Sequence, residues 1–174
     1  FEQTQGRLHN WDAAERELLW AAAILHNSGH HVSHSAHHQH SYYLIRHSEL
    51  LGYTECEIEL IANIARYHRK SAPKKKHDPY RNLPTKEQRQ MVCQLSALLR
   101  LAVALDRRQI GAVKCVKCEY RPELREFRLH LKPAEANDNC ALELWNLDYK
   151  KMPFEQEFGV RLVSKLSSVP VGVG

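Results

Sequence analysis

The sequence predicts an α+β protein in which an all-α part comes first and a small antiparallel β-rich part follows. Up to about residue 110, apolar side chains recur at the three- and four-residue spacing of amphipathic helices. Beyond Gly111 the period changes to two: Phe127, Leu129 and Leu131 alternate with polar residues, as in a half-buried antiparallel strand. We therefore predict domains over residues 1–110 and 111–168, followed by a loose tail at 169–174.

Capping residues and apolar stripes place the helices. Asp12 with Glu15 and Thr54 with Glu57 have the spacing of capping boxes, and Thr85 and Gln88 open a long helix. Together with the stripes that follow, they predict helices over about 12–26, 41–47, 54–68 and 85–106. Residues 70–84 are basic and contain three Pro, so we predict a surface loop there.

The second part is predicted to be a small sheet. Residues 113–120 and 126–132 have the pattern of two strands around a turn at Pro122. Residues 141–145 are interpreted as a third strand, 153–158 as a turn or helix start, and 160–163 as a last short strand.

Composition indicates a globular chain of the cytoplasm. Hydrophobic residues make up 43% and charged residues 26%, which is typical of a folded protein. No apolar run approaches the roughly 18 residues of a membrane helix, and the N-terminus lacks a signal peptide. Five scattered Cys suit a reduced compartment. Cys115 and Cys118 lie on a predicted strand, where residues three apart point to opposite faces, so we interpret them as ordinary strand residues.

Basic residues are concentrated after the third helix and near the end of the fourth. Clustered cations attract polyanions such as polyphosphate or nucleic acid, although a solvated loop would carry the same charges. The candidate polyanion-binding residues are Arg66, Arg69, Lys70, Lys74, Lys75, Lys76, Arg100, Arg107 and Arg108.

Histidines form a second concentration, since eight of the twelve fall between His26 and His47. Four residues that could bind a metal stand at predicted helix ends: His26, His40, His68 and Asp106. Helix ends can converge in a bundle, and two or three His with a carboxylate suit a divalent transition metal. Hydrogen bonding that ties the helix ends together is the alternative role for these residues.

Four segments carry a family resemblance. The run Ala22–Gly29 resembles the His-Asp signature of HD-type metal phosphohydrolases. Together with it, His34–Ile45, Ile64–Lys70 and Leu98–Asp106 resemble the exopolyphosphatase/guanosine-pentaphosphatase (Ppx/GppA) family. The resemblance implies that the first part is an HD-like domain. It further implies a piece of a longer hydrolase whose upstream actin-like domains use Mg²⁺ to release terminal phosphate from polyphosphate or guanosine pentaphosphate.

For this chain, the resemblance implies a region that extends the substrate channel and forms a homodimer interface. We expect it to hold no catalytic residues and no cofactor of its own. Asn27 stands where the HD signature has Asp, so the set of His26, His40, His68 and Asp106 is a depleted metal site. A neutral amide oxygen binds a divalent ion more weakly than a carboxylate does.

Three functions follow from these observations. We expect foremost a non-catalytic region that binds polyphosphate and dimerises. An autonomous HD-type, metal-dependent nucleotide phosphohydrolase is an alternative, and so is an RNA-binding or structural module. The predicted strands lack the aromatic stacking pattern of single-strand binders.

Overall fold

A computed structural model describes residues 1–167, which divide into two compact units. The first unit contains Phe1 and His9–Arg100, and the second contains Glu2–Leu8 and the described residues from Leu101 onward. The predicted domain limits of 1–110 and 111–168 stay a prediction. The predicted loose tail at 169–174 lies outside the described residues. The combination of helices with a small sheet confirms the α+β class.

The first unit is helical. Its helices are α1 (Ala13–Leu25), α2 (His37–Arg46), α3 (Glu55–Arg66), α4 (Asp78–Arg81) and the part of α5 (Lys86–Leu105) that ends at Arg100. A 3₁₀ turn, Ser28–His31, joins α1 to α2. Helix α3 lies against both α1 and α2 and is buried at Ile58 and from Leu60 to Ala65. The basic stretch before α5 is irregular except for the single turn of α4, so the predicted loop is largely confirmed.

The predicted helix starts are confirmed by their hydrogen bonds. The Asp12 carboxylate accepts from the Ala14 amide at 2.9 Å, and Glu15 accepts from the Asp12 amide at 2.9 Å. Thr54 and Glu57 make the same reciprocal pair. The remaining pair, Thr85 and Gln88, is also reciprocal, with distances of 3.0 and 3.4 Å. Each pair satisfies amides at a helix start that have no partner within the helix.

Helix α2 begins at His37, four residues before the predicted start at Ser41. The predicted helix therefore left out His37 and His38. In the structure, His37 is 4% exposed and His38 is 9% exposed, so both lie on the inner face of the helix. Ala36, with φ of +55°, turns the chain into this extra first turn.

The second unit contains a three-stranded sheet with the order β1 (Val113–Arg121), β2 (Glu126–Pro133) and β3 (Arg161–Leu166). Strands β1 and β2 pair antiparallel, as predicted, and β2 and β3 pair parallel, so the sheet is mixed. The alternation on β2 is confirmed, because Phe127, Leu129 and Leu131 are all buried. The predicted last strand is also present, as β3.

The predicted strand at 141–145 is wrong, because this segment begins helix α6 (Ala141–Lys150). The segment alternates over only a few residues, and such short stretches fit strands and helices equally well. The helical period brings Glu143, Asn146 and Leu147 to one buried face. Helix α7 (Met152–Phe158) follows α6 and confirms the helix start predicted as one possibility for residues 153–158.

Candidate functional site

Two histidines at helix ends meet in the first unit. His26 follows α1 and His68 lies two residues beyond α3, and their rings meet edge to face with centroids 4.8 Å apart. Nδ1 of His26 lies 2.6 Å from the Ala23 carbonyl oxygen, and Nδ1 of His68 lies 2.7 Å from that of Ala65. Because a carbonyl only accepts, each Nδ1 donates a proton, so Nε2 is the nitrogen of either ring that can carry a lone pair.

A third histidine, His37, joins this pair from the first turn of α2. Its Nε2 lies 3.3 Å from Nε2 of His68, and Arg69 Nη1 lies 3.0 Å from its Nδ1. A guanidinium only donates, so Nδ1 of His37 accepts from Arg69, and Nε2–H of His37 donates to the lone pair of His68. The His34 carbonyl, 3.3 Å from the same Nδ1, then receives no proton from it. The hydrogen bonds therefore form a continuous chain: Arg69 donates to His37, His37 donates to His68, and His68 donates to the Ala65 carbonyl.

Burial keeps the inner histidines uncharged. It lowers the pKa of His68 to about 2 and the pKa of His37 to about 4. Burial also lowers the pKa of His38 to about 4, and the cationic groups of Arg66 and Arg69 add to that effect. All three rings are therefore neutral near pH 7, since desolvation disfavours the imidazolium form.

The serine and glycine of this region fix the ends of the two helices. Ser41 is fully buried on α2, and its hydroxyl donates to the His26 carbonyl at 2.7 Å. The same hydroxyl accepts from the Gly29 amide at 2.9 Å. Gly29 lies so close to α2 that a Cβ added to it would be 2.1 Å from the His37 carbonyl oxygen. In the segment Asn27-Ser28-Gly29, the lack of a side chain at Gly29 thus allows the turn to pack closely against α2.

The metal-binding role of His26, His40, His68 and Asp106 stays a prediction. His26 and His68 touch, whereas the ring contacts found in the described chain do not join His40 to either of them. Asp106 is exposed and belongs to the second unit. Asn27 is half-buried, and its side chain does not cap the 3₁₀ turn.

His37 was not among the predicted site residues, yet it lies beside His68. The available signal was its spacing: His37 stands four residues before Ser41, hence on the same face of a helix extended by one turn.

Arg100 and Arg108, which are among the nine predicted polyanion-binding residues, make several hydrogen bonds within the chain. Arg100 is 5% exposed, and its guanidinium donates to the carbonyls of Tyr67 and Lys70 at 2.7 Å and of Ser71 at 3.3 Å. It therefore holds the segment that follows α3.

Arg108, in the second unit, forms a two-pronged ion pair with Glu143 at 2.9 Å and also contacts Asp138 at 2.7 Å. The Glu143 side chain is 0% exposed. Arg108 lowers the pKa of Glu143 by hydrogen bonding to it.

The other predicted basic residues lie nearer to solvent. Lys70, Lys74, Lys75, Lys76 and Arg107 are exposed, and Arg66 and Arg69 are half-buried. The guanidinium carbon of Arg66 lies over the rings of Tyr42 and Tyr67, 5.5 and 5.9 Å from their centroids. Two nitrogens in this region, Nε of Arg66 and Nδ1 of His38, are buried and have no hydrogen-bond partner among the described residues.

Comparison with known proteins identifies the family. The family model described as "Ppx/GppA phosphatase, domain III" matches residues 1–151. The chain belongs to this family. The resemblance seen in the four sequence segments is thereby confirmed. The histidine cluster formed by His26, His37 and His68 lies within the matched part of Ppx/GppA domain III.

One curated relative is a Ppx/GppA-type enzyme. The chain is 32% identical over 92 residues to a guanosine-5'-triphosphate,3'-diphosphate pyrophosphatase of Pseudoalteromonas atlantica. The aligned part is 53% of this chain and 18% of that protein. The chain thus spans less than a fifth of the length of the relative. No helix among residues 1–167 is both long enough and apolar enough to cross a bilayer.

Proposed function

We propose that this Ppx/GppA domain III is a non-catalytic region that binds a polyphosphate chain for a cytoplasmic exopolyphosphatase or guanosine pentaphosphatase. In the whole protein, actin-like domains upstream carry out the hydrolysis with Mg²⁺, and domain III extends their substrate channel and contributes a homodimer contact. Family membership and the pyrophosphatase relative support the substrate class.

The observation that carries this proposal is the group of cationic and donor groups around the end of α3. Arg66, Arg69 and Lys70 follow one another within five residues, and all three act on His38 strongly enough to contribute to the lowering of its pKa. Nδ1 of His38 and Nε of Arg66 lack partners within the described chain, although buried polar atoms are normally hydrogen-bonded. Phosphate oxygens would accept from such groups and be attracted by the charges around them.

The composition of the histidine cluster supports anion binding over metal-dependent hydrolysis. At position 27 a neutral amide stands where the HD signature has a carboxylate. The guanidinium of Arg69 lies 3.0 Å from Nδ1 of His37 and brings a positive charge that attracts phosphate oxygens. The cluster therefore has the charge of a phosphate site and lacks the carboxylates of a magnesium or manganese site.

The test is a titration of the chain with polyphosphate of medium length from about 50 to about 500 mM salt. We expect binding at low salt whose log K falls linearly with log salt, because each neutralised phosphate releases counterions. The Arg69→Gln variant should weaken binding and reduce the slope by about 0.7 for each phosphate that it no longer neutralises. Arg16→Gln, which removes the same charge from an exposed position on α1, is the matched control.

Three outcomes would contradict the proposal. Binding that is absent at low salt or indifferent to salt would remove it, and so would an equal effect of both substitutions. RNA that displaces polyphosphate at lower concentration would favour a nucleic-acid-binding module instead. Phosphatase activity of the chain after metal addition would favour an autonomous HD hydrolase.

The proposed homodimer is tested separately by sedimentation equilibrium over a range of protein concentrations. A mass that stays at 20.2 kDa throughout would exclude self-association by this chain.

A further inference from the structure

Three histidines between the end of α1 and the first turn of α2 approach one another closely. His30 lies in the 3₁₀ turn, His34 in the link that follows, and His37 at the start of α2. The ring of His30 stacks on that of His37 with centroids 3.7 Å apart, and the rings of His30 and His34 are 5.0 Å apart. One nitrogen from each residue can be chosen so that all three lie within 4.8 Å of one another.

We propose that His30, His34 and His37 form a binding site for a divalent transition-metal ion of the Zn²⁺ type, with water completing the coordination. Three imidazoles suit Zn²⁺ and similar ions, whereas Mg²⁺ and Ca²⁺ require oxygen ligands. The site is distinct from the degenerate HD set, because it contains none of His26, His40, His68 or Asp106. It goes beyond polyphosphate binding, since it concerns a cation and different side chains.

Small side-chain movements convert the observed arrangement into a coordination shell. Zn–N bonds of about 2.1 Å at tetrahedral angles place ligand nitrogens roughly 3.4 Å apart. The nitrogens, now within 4.8 Å, must therefore approach by about 1.4 Å at most. His30 and His34 are exposed and can rotate without disturbing the core, while His37 is buried and supplies a fixed third ligand. A three-residue site with one fixed and two adjustable ligands retains an open fourth position for water.

Occupation of the site must change the contacts of His37. Its two ring nitrogens now face Arg69 and His68, so a bound ion displaces one of those partners. Arg69 is also a member of the proposed polyanion site. A metal at the three histidines would therefore add its positive charge to the edge of that site and would leave Arg69 or His68 without its contact to His37.

The test is competition for Zn²⁺ between the chain, stripped of metal by a chelator, and a chromophoric chelating dye. We expect one ion per wild-type chain and a dissociation constant at least tenfold weaker in His30→Ala and in His34→Ala. These two positions are exposed, so their variants should fold normally. His31→Ala and His47→Ala remove exposed histidines outside the site and should change the dissociation constant less than twofold. Co²⁺ should give the intense visible absorption of a four-coordinate site in the wild type and lose it in His30→Ala.

The proposal fails if the wild type binds no Zn²⁺, or if His30→Ala and His34→Ala bind it as tightly as the wild type. It also fails if the controls weaken binding as much as the site variants do. Zn²⁺ binding that survives in His30→Ala and His34→Ala but disappears in His26→Ala would assign the ion to the HD set.

Discussion

Replacing Gly29 by Ala should strongly destabilise the first unit. Gly29 is not in the left-handed region of φ, so the glycine is required by a close approach rather than by the backbone conformation. An added Cβ would be 2.1 Å from the His37 carbonyl oxygen, 2.4 Å from the Ser41 amide nitrogen and 2.8 Å from Cβ of His40. Two of these atoms belong to the backbone of α2, so rotation of a side chain cannot relieve the clash.

The magnitude follows from those distances. Ordinary non-bonded contacts lie above about 3.2 Å, so the first turn of α2 must move by about 1 Å. Overpacking of this kind costs about 1–3 kcal/mol. The shift also weakens the two hydrogen bonds of the Ser41 hydroxyl, which contribute about 1 kcal/mol each. We expect a total loss of about 3–5 kcal/mol, a large part of the stability of an ordinary domain.

The assay is urea unfolding followed by far-ultraviolet circular dichroism, with thermal unfolding as a second measure. For a chain of this size, the loss corresponds to a fall in Tm of about 6–20 °C. The control is Gly52→Ala, because Gly52 has φ of +90° and nothing within 4 Å of an added Cβ. That substitution carries only the cost of a left-handed backbone, about 1–2 kcal/mol. If Gly29→Ala destabilises the chain no more than Gly52→Ala, the close approach of the turn to α2 does not restrict the residue at position 29.

Three further substitutions test other contacts, each measured by urea unfolding. Ser41→Ala removes a fully buried hydroxyl and leaves its donor and acceptor unpaired, so we expect a loss of about 2 kcal/mol; an unchanged midpoint would refute this. Glu143→Gln weakens the buried pair with Arg108 and should lower the free energy of unfolding by about 2–3 kcal/mol at pH 7. Because the pKa of Glu143 is lowered in the folded state, the difference between variant and wild type should shrink as the pH falls. Thr54→Ala should cost about 1 kcal/mol. Hydrogen bonds from Thr54 lower the pKa of Glu57 in the folded state. Their contribution to stability is therefore complete above the pKa of Glu57 in the unfolded chain and is lost as the pH falls through its pKa in the folded chain. A difference in stability that does not change with pH would contradict that assignment.

Much of the fold could be predicted because its determinants are local. A capping box joins residues three apart, so Asp12 with Glu15 predicts a helix start without knowledge of the rest of the chain. The alternation on β2 likewise records which side of a single strand is buried. The family resemblance was also detectable from four segments, all of which lie within the matched residues 1–151.

The errors arose where a distant residue changes the meaning of a local pattern. Residues 141–145 were predicted to be a strand, but they begin a helix whose Glu143 is fully buried beside Arg108, 35 positions away. Arg100 was chosen for its charge, but three carbonyls from the segment after α3 surround its guanidinium. The helix predicted from Ser41 left out His37, whose partners His68 and Arg69 follow 31 and 32 residues later.

The hydrogen bonds of Arg100 have a consequence for recognition. They fix the carbonyls of Tyr67, Lys70 and Ser71, and they hold Lys70 in a left-handed conformation with φ of +58°. The beginning of the basic stretch is therefore preorganised before any anion arrives. Ordering a flexible loop on binding costs affinity, and here that ordering has already taken place during folding.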